Sequence, residues 1–145
     1  MDTQRIADAA LGLRHVFLRD MVLQASIGVH PPEHEATQRV RVNVDLGVED
    51  DGARPLSRTA IVRPVGRDEL TRVVDYEQIA NTVRRIVASG HVRLAETLAE
   101  RIAEACLTDP RVRLARIRVE KLDVFPDSTS AGIEIERRQT VSSGN

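Results

Sequence analysis

The sequence contains very few aromatic residues. Among its 145 residues there is no tryptophan, and the aromatic side chains are Phe17, Tyr76 and Phe125. Sheets that bind single-stranded nucleic acid usually stack the bases on aromatic side chains. The composition therefore argues against a nucleic-acid partner, and it predicts a core built from aliphatic residues.

Cysteine, net charge and long apolar runs are also scarce. The single cysteine, Cys106, excludes a disulfide bond within the chain and fits a reducing compartment. The formal net charge of -1 gives no overall field to attract nucleic acid or an anionic membrane surface. No apolar run is long enough to span a bilayer, and no signal-peptide pattern opens the chain. We therefore expect a cytoplasmic protein with no membrane partner.

The rest of the composition is that of an ordinary globular protein, with 41% hydrophobic and 30% charged residues. We expect an N-terminal arm over residues 1–14, one domain over 15–139 and a polar tail over 140–145. The least regular part of the domain lies between its second strand and its first helix. Prolines, glycines and arginines are frequent in that stretch, which is longer than a typical connection.

The stretch from Ala115 to Lys121 alternates as a half-buried β-strand does. Ala115, Ile117 and Val119 fall on one face, and Lys121 is in phase with them. A lysine on the core side loses part of its preference for the charged form and can exchange protons near neutral pH. The alternative is that Lys121 lies at the end of the strand and extends its ammonium to water.

Other patterns predict the remaining elements. Alternation is clearest over 39–46, and strands are also predicted over 15–23 and 131–136. Helical spacing predicts a helix over 76–89, with Asp75 as its N-cap, and a second over 94–107. The order strand, strand, helix, helix, strand, strand predicts an α+β fold. We expect a four-stranded antiparallel sheet with two helices on one face.

His30 and His34 are four residues apart, which is a spacing of metal ligands on a helix. Pro31 and Pro32 lie between them and argue against a regular helix. No third cysteine or histidine is near in sequence. We therefore expect an irregular loop here and no metal site.

Five short motifs then occur in a fixed order along the chain. They are Ile27-Gly28-Val29, Glu33 with Gln38 five residues later, Val74-Asp75-Tyr76, Leu94-Ala95-Glu96-Thr97-Leu98-Ala99, and Val119-Glu120-Lys121. As an ordered set over about residues 15 to 137, they resemble the dihydroneopterin aldolase family of folate biosynthesis. The resemblance implies the tunnelling fold and no cofactor. It also implies a homo-oligomer, a ring tetramer or an octamer, with active sites between subunits.

The same resemblance implies a pterin substrate and a role for each motif residue. Glu96 would anchor the pterin by accepting two hydrogen bonds from its aminopyrimidinone edge. The further substrate-binding residues implied are Val74, Asp75 and Ala95. The residues implied to move protons are Lys121, Glu33 and Tyr76, the last from the neighbouring subunit.

The reaction that the resemblance implies is a retro-aldol cleavage of 7,8-dihydroneopterin. Its products are 6-hydroxymethyl-7,8-dihydropterin and glycolaldehyde. The C=N bond of the dihydropterin ring is already an electron sink beside the breaking bond, so the protein need only remove one proton and return one.

Other functions remain open on the sequence. Leu122 stands where many aldolases have proline, and with Asp127-Ser128 it is similar to the dihydroneopterin triphosphate epimerase branch. A 2′-epimerase is therefore an alternative, and a non-enzymatic RNA- or protein-binding α+β module is another. The region of about 54–67 resembles an insertion whose arginines either bind a substrate phosphate or pair with nearby carboxylates. We expect the strands over 39–46 and 131–136 to close the ring.

Overall fold

The computed structural model describes residues 5–53 and 65–140, and their four strands form one antiparallel sheet in the order β1-β2-β3-β4. The elements are β1 (Leu13–Ala25), α1 (Pro31–Glu35), β2 (Gln38–Glu49), α2 (Tyr76–Ala88), α3 (Ala95–Cys106), β3 (Val112–Lys121) and β4 (Ala131–Arg138). Two short 3-10 turns, Asp51–Ala53 and Leu70–Arg72, lie between β2 and α2. The predicted α+β fold class is confirmed.

Alternating apolar side chains of β2 and β3 form the centre of the core. The fully buried residues of these two strands include Val40, Val42, Val44, Leu46, Ala115, Ile117 and Val119. Helices α2 and α3 cover this face, chiefly with Val83, Val87, Leu98 and Ile102. The predicted N-cap is confirmed, because the Asp75 carboxylate accepts a hydrogen bond from the Glu77 backbone N–H at 2.9 Å.

The stretch after β1 differs from the prediction of an irregular loop. Residues Pro31–Glu35 form one short helix, α1, with both prolines in its first turn. Backbone N–H groups in the first turn have no partner within a helix, so proline costs nothing there and its fixed φ favours the helix. The prolines that argued against a helix are therefore what begins it.

The opposite face of the sheet is polar and carries cross-strand ion pairs. Arg41 donates two hydrogen bonds to Glu120, at 3.0 and 2.9 Å, and Arg116 donates to Glu136 at 2.9 Å. Three polar residues on this face, Asn43, Asp45 and Glu120, are nevertheless buried. They are buried because each has hydrogen-bond partners that replace water.

The sheet order decides which strands have free edges. β1 and β4 are the outer strands, and β2 lies between β1 and β3. The expectation that the strand over 39–46 closes a ring is therefore wrong, because its backbone is paired on both sides. Within residues 5–53 and 65–140, β4 and β1 each have one edge that pairs with no other strand.

Several predictions concern residues outside the described ranges. These are the polar tail beyond Thr140 and most of the expected insertion, including Arg54, Arg58 and Arg63. Of the neighbouring arginines that are described, Arg72 forms an ion pair with Asp51 at 2.9 Å, and Arg67 lies 3.9 Å from a Glu69 oxygen.

In the N-terminal stretch that was expected to form an arm, Ile6 is buried and Asp8 pairs with Leu13. None of the helices within residues 5–53 and 65–140 combines the length and apolarity needed to cross a membrane.

Candidate active site

The sheet and the short helix α1 bring Glu33 and Lys121 into contact. The Lys121 Nζ lies 2.9 Å from Oε2 of Glu33, and each side chain is 19% exposed. Lys121 ends β3 and pairs in register with Val40, a fully buried residue of the core. Its side chain therefore leaves the sheet on the core face, as its phase predicts. There the ammonium meets a carboxylate rather than open water or apolar side chains.

Three donors hold the Glu33 carboxylate. Besides Lys121, the Gln38 side-chain amide donates to Oε2 at 2.9 Å, and the His30 backbone N–H donates to Oε1 at 3.3 Å. The Lys121 hydrogen bond, followed by that of Gln38, lowers the pKa of Glu33 from 4.5 to about 2. Glu33 is therefore ionised at neutral pH, and its carboxylate accepts a hydrogen bond from each of the three donors.

Gly28 makes room for this carboxylate. A Cβ atom on Gly28 would lie 2.0 Å from the Glu33 side-chain carboxyl carbon, and the Gly28 φ is +135°. Only glycine tolerates both the close approach and this backbone conformation. The preceding residue is also fixed, since Gln38 Nε2 donates to the Ile27 carbonyl at 2.8 Å. The Gln38 side-chain amide thus joins the Ile27 carbonyl to the Glu33 carboxylate.

The first turn of α3 lies at the same end of the folded domain as the Glu33–Lys121 pair. Val92, just before α3, pairs with Ile27, and its carbonyl accepts from the Gly28 N–H at 3.0 Å. Helix α3 then begins with Ala95 and Glu96, the second of which is exposed. Four of the predicted site residues, Glu33, Lys121, Ala95 and Glu96, therefore belong to one end of the fold.

The other three predicted residues lie at the opposite end. Val74 and Asp75 line a cavity of about 420 Å³ together with Cys106, the last residue of α3, and Arg111, which precedes β3. The rise along β3 places its first residue about 30 Å from Lys121. Tyr76, the next residue after Asp75, is 64% exposed. One chain therefore does not bring Tyr76 to its own Glu33 and Lys121.

Gly28 and Gln38 stand in two of the sequence motifs, but the sequence alone predicts no role for either residue. The glycine in Ile27-Gly28-Val29 is the signal for a close approach, and the Glu33–Gln38 spacing is the signal for the amide bond. His91, whose ring contacts the same segment, was missed, because nothing in its local sequence marks it.

Comparison with known proteins decides the family. The family model described as FolB, dihydroneopterin aldolase, matches residues 16–136. The chain belongs to the dihydroneopterin aldolase family. Members of this family are aldolases, a class of carbon–carbon lyase, and all seven predicted site residues lie within the matched range.

Individual dihydroneopterin aldolases agree with this assignment. The enzyme named dihydroneopterin aldolase from Streptomyces coelicolor is 34% identical over 108 residues, which cover 74% of this chain and 82% of that protein. The crystal structure of dihydroneopterin aldolase from Burkholderia thailandensis, bound to guanine, is also 34% identical. It superposes with a TM-score of 0.72 and covers 91% of this chain and 96% of that chain.

A more distant dihydroneopterin aldolase shares the same fold. The Escherichia coli enzyme, solved in complex with neopterin, superposes with a TM-score of 0.71 at 23% identity and covers 86% of this chain and 98% of that chain. The predicted tunnelling fold is therefore confirmed by solved structures of the family.

Proposed function

We propose that this protein is a dihydroneopterin aldolase that cleaves 7,8-dihydroneopterin into 6-hydroxymethyl-7,8-dihydropterin and glycolaldehyde. The observation that carries the proposal is the hydrogen bond between Lys121 and Glu33 within the range that the family model matches. A carboxylate and an ammonium in direct contact form a proton-transfer pair at the end of a sheet. The names of the similar proteins support the same reaction.

Glu96 is the proposed anchor for the pterin ring. Its carboxylate, in the first turn of α3, is exposed and belongs to the same end of the fold as the ion pair. Two carboxylate oxygens match the two parallel N–H donors on the aminopyrimidinone edge of a pterin. Guanine, the ligand named for the Burkholderia thailandensis relative, presents the same pair of donors. Ala95 would lie beside the ring.

Glu33 and Lys121 are the proposed proton-transfer residues. The reaction needs a base that takes the proton of the 2′-hydroxyl while the bond between C1′ and C2′ breaks. The electron pair of that bond moves into the C=N bond of the ring, and the oxygen becomes the carbonyl of glycolaldehyde. The resulting enol is then protonated at C1′, which gives the hydroxymethyl product. Lys121 would take the proton of the 2′-hydroxyl as it passes one of its own to Glu33 along their hydrogen bond, and the same path in reverse would return a proton to C1′ of the enol.

A second copy of the chain is the proposed source of Tyr76, Val74 and Asp75. These residues lie at the far end of the fold from Glu33 and Lys121, so in the proposed site the Tyr76 region of one subunit meets the Glu33–Lys121 pair of another. Within the described residues, β1 and β4 each have one unpaired edge, and such edges favour side-by-side pairing of subunits into a ring. We propose a ring tetramer or a stacked octamer. A cytoplasmic location fits the single cysteine, Cys106, which is a buried free thiol.

The function is tested by incubating the purified protein with 7,8-dihydroneopterin and separating the products by chromatography. Release of glycolaldehyde and 6-hydroxymethyl-7,8-dihydropterin in equal amounts supports the proposal. Conversion to the 2′-epimer alone would favour the epimerase alternative, in which the same enol adds the aldehyde back on its other face. No conversion of either dihydroneopterin or its triphosphate would contradict both.

A further inference from the structure

His91, in the loop between α2 and α3, has both ring nitrogens engaged by the segment that follows β1. Its Nε2 lies 2.9 Å from the Gly28 carbonyl oxygen, and its Nδ1 lies 2.6 Å from the Ser26 hydroxyl oxygen. A carbonyl oxygen only accepts, so Nε2 carries the proton that is donated to Gly28. In the neutral ring, the Ser26 hydroxyl then donates to Nδ1. The orientation of the ring is therefore fixed at both nitrogens.

The backbone of Gly28, to which His91 is hydrogen-bonded, also lies directly against the Glu33 carboxyl group. Gly28 is bound on both sides by the α2–α3 loop, through its N–H to the Val92 carbonyl at 3.0 Å and through its carbonyl to His91. The Glu33 carboxyl group sits directly on the Gly28 α-carbon, where a Cβ would lie 2.0 Å from it. The position of this peptide thus sets how far the carboxylate extends toward Lys121.

His91 also contacts the residue that follows Glu33. The rings of His34 and His91 are stacked, with centroids 4.0 Å apart and an angle of 27° between the planes. Since His34 and Glu33 are neighbours in the short helix α1, the stack ties that helix to the α2–α3 loop. The His91 ring therefore contacts both the Gly28 backbone, against which the Glu33 carboxyl group lies, and the side chain of His34, the residue after Glu33.

We propose that His91 is a positioning residue, which holds the Gly28 peptide and the helix α1 so that the Glu33 carboxylate meets the Lys121 ammonium. Its effect on turnover rests on the proposed aldolase function, whereas its effect on the ion pair does not. The alternative is that His91 only stabilises the loop, in which case its loss would lower stability and leave the ion pair unchanged.

The variants separate the hydrogen bond from the bulk of the ring. His91→Leu removes both nitrogens at similar volume. His91→Gln places an amide nitrogen at about the reach of the imidazole Nε2, so it keeps the donor to Gly28. His15→Leu is the matched control, because His15 is another half-buried histidine whose partner, Asp45, lies on the polar face of the sheet.

The ion pair can be observed directly, because Lys121 is the only lysine in the sequence. Protein labelled with ¹⁵N at the lysine side chain gives a single ammonium NMR signal, and Glu33→Gln supplies the signal of Lys121 without its charged partner. We expect His91→Leu to move the signal more than half-way to the Glu33→Gln position. His91→Gln and His15→Leu should leave it near the wild-type position.

Two results would overturn the positioning role: a wild-type signal in folded His91→Leu, or equal displacement in His91→Gln and His91→Leu. If His91→Leu does not fold, Ser26→Ala is measured instead, since it removes only the hydroxyl that orients the ring. A smaller displacement in the same direction supports the role, and none overturns it.

Kinetics with 7,8-dihydroneopterin give the second readout. Displacing a proton-transfer group by about 1 Å costs up to about a hundredfold in rate, so kcat of His91→Leu should fall tenfold to a hundredfold. KM should change much less, because Glu96 is untouched, and His91→Gln should recover most of kcat. Absence of turnover in the wild-type protein would contradict the proposed function but leave the NMR result to decide the role of His91.

Discussion

Lys121 and Glu33 are 88 residues apart in the sequence and are joined by a 2.9 Å hydrogen bond between Nζ and Oε2. The contact exists because β3 ends beside the short helix α1, with both side chains on the core side of the sheet's rim. Gln38, the first residue of β2, completes the arrangement by donating to the same carboxylate oxygen. The pair is thus held by three separate elements, and changes at any of them should affect it.

Gly28→Ala should impair activity far more than Gly90→Ala. Both glycines have a similar positive φ, +135° and +133°, at which a side chain costs a backbone strain of about 1–3 kcal/mol. They differ in their surroundings, because a Cβ at Gly28 meets the Glu33 carboxyl group and a Cβ at Gly90 meets nothing within 4 Å. The comparison of kcat at matched stability isolates the contact. Equal losses in the two variants would show that Gly28 matters only for its backbone angle.

Glu96→Ala should weaken pterin binding by about 2–4 kcal/mol, the scale of two hydrogen bonds to a charged acceptor. The measurement is calorimetric titration with neopterin. Glu100→Ala is the control, since Glu100 lies one turn further along the same helix, is exposed and forms an ion pair with Arg137 at 3.5 Å. Unchanged affinity in a folded Glu96→Ala protein would remove Glu96 as the anchor.

Tyr76 should act across a subunit boundary, because it lies far from the Lys121 of its own chain. Tyr76→Phe and Lys121→Ala should each be nearly inactive in releasing the hydroxymethyl product. When the two variants are unfolded, mixed in equal amounts and refolded, about one site in four should combine an intact lysine with an intact tyrosine from different chains. Activity recovered to that level supports the shared site, and no recovery in a mixed oligomer argues against it.

The fold should lose stability in acid partly through Glu120. Its carboxylate is 7% exposed, and the hydrogen bonds from Arg41, aided by that of Ser130, lower its pKa from 4.5 to about 2. A pKa lower in the folded than in the unfolded state stabilises the fold above about pH 4.5, and this contribution disappears as the pH falls toward 2. Glu33 acts in the same direction.

Glu120→Gln tests this, because it keeps the volume and removes the charge that Arg41 binds. At pH 7 it should lower the free energy of unfolding by about 1–3 kcal/mol, and the difference from wild type should shrink at pH 3. Glu134→Gln is the control, since Glu134 is more exposed and lies 3.6 Å from Arg118. A difference that does not change with pH would contradict the assigned pKa. Urea unfolding at the two pH values measures it.

The fold was predictable where the local pattern and the tertiary environment agree. The alternation of Val40 to Leu46 predicts a strand because one of its faces is buried by helices. The same pattern does not reveal which strands are neighbours, so β2 was expected at an edge although it is paired on both sides. Strand order is set by contacts between distant parts of the chain, which a local pattern does not contain.

The site was predictable only in part, for a related reason. Lys121 is conspicuous because a charged residue falls in phase with the apolar face of β3, and Glu33 and Glu96 stand in motifs that resemble a known family. His91 has no such signal, because its contacts with Ser26 and Gly28 join residues more than sixty positions apart. Helix α1 was missed because the two prolines were weighed as helix breakers, although they occupy its first turn.

The central claim is that the ion pair between Lys121 and Glu33 moves the protons of a retro-aldol reaction, and the turnover of Lys121→Ala tests it most directly. With 7,8-dihydroneopterin as substrate, the wild-type protein should release glycolaldehyde. Lys121→Ala should release it at least about a hundredfold more slowly, the usual scale of acid–base catalysis, while neopterin binds with little change. A Lys121→Ala protein that forms glycolaldehyde at the wild-type rate would contradict the account.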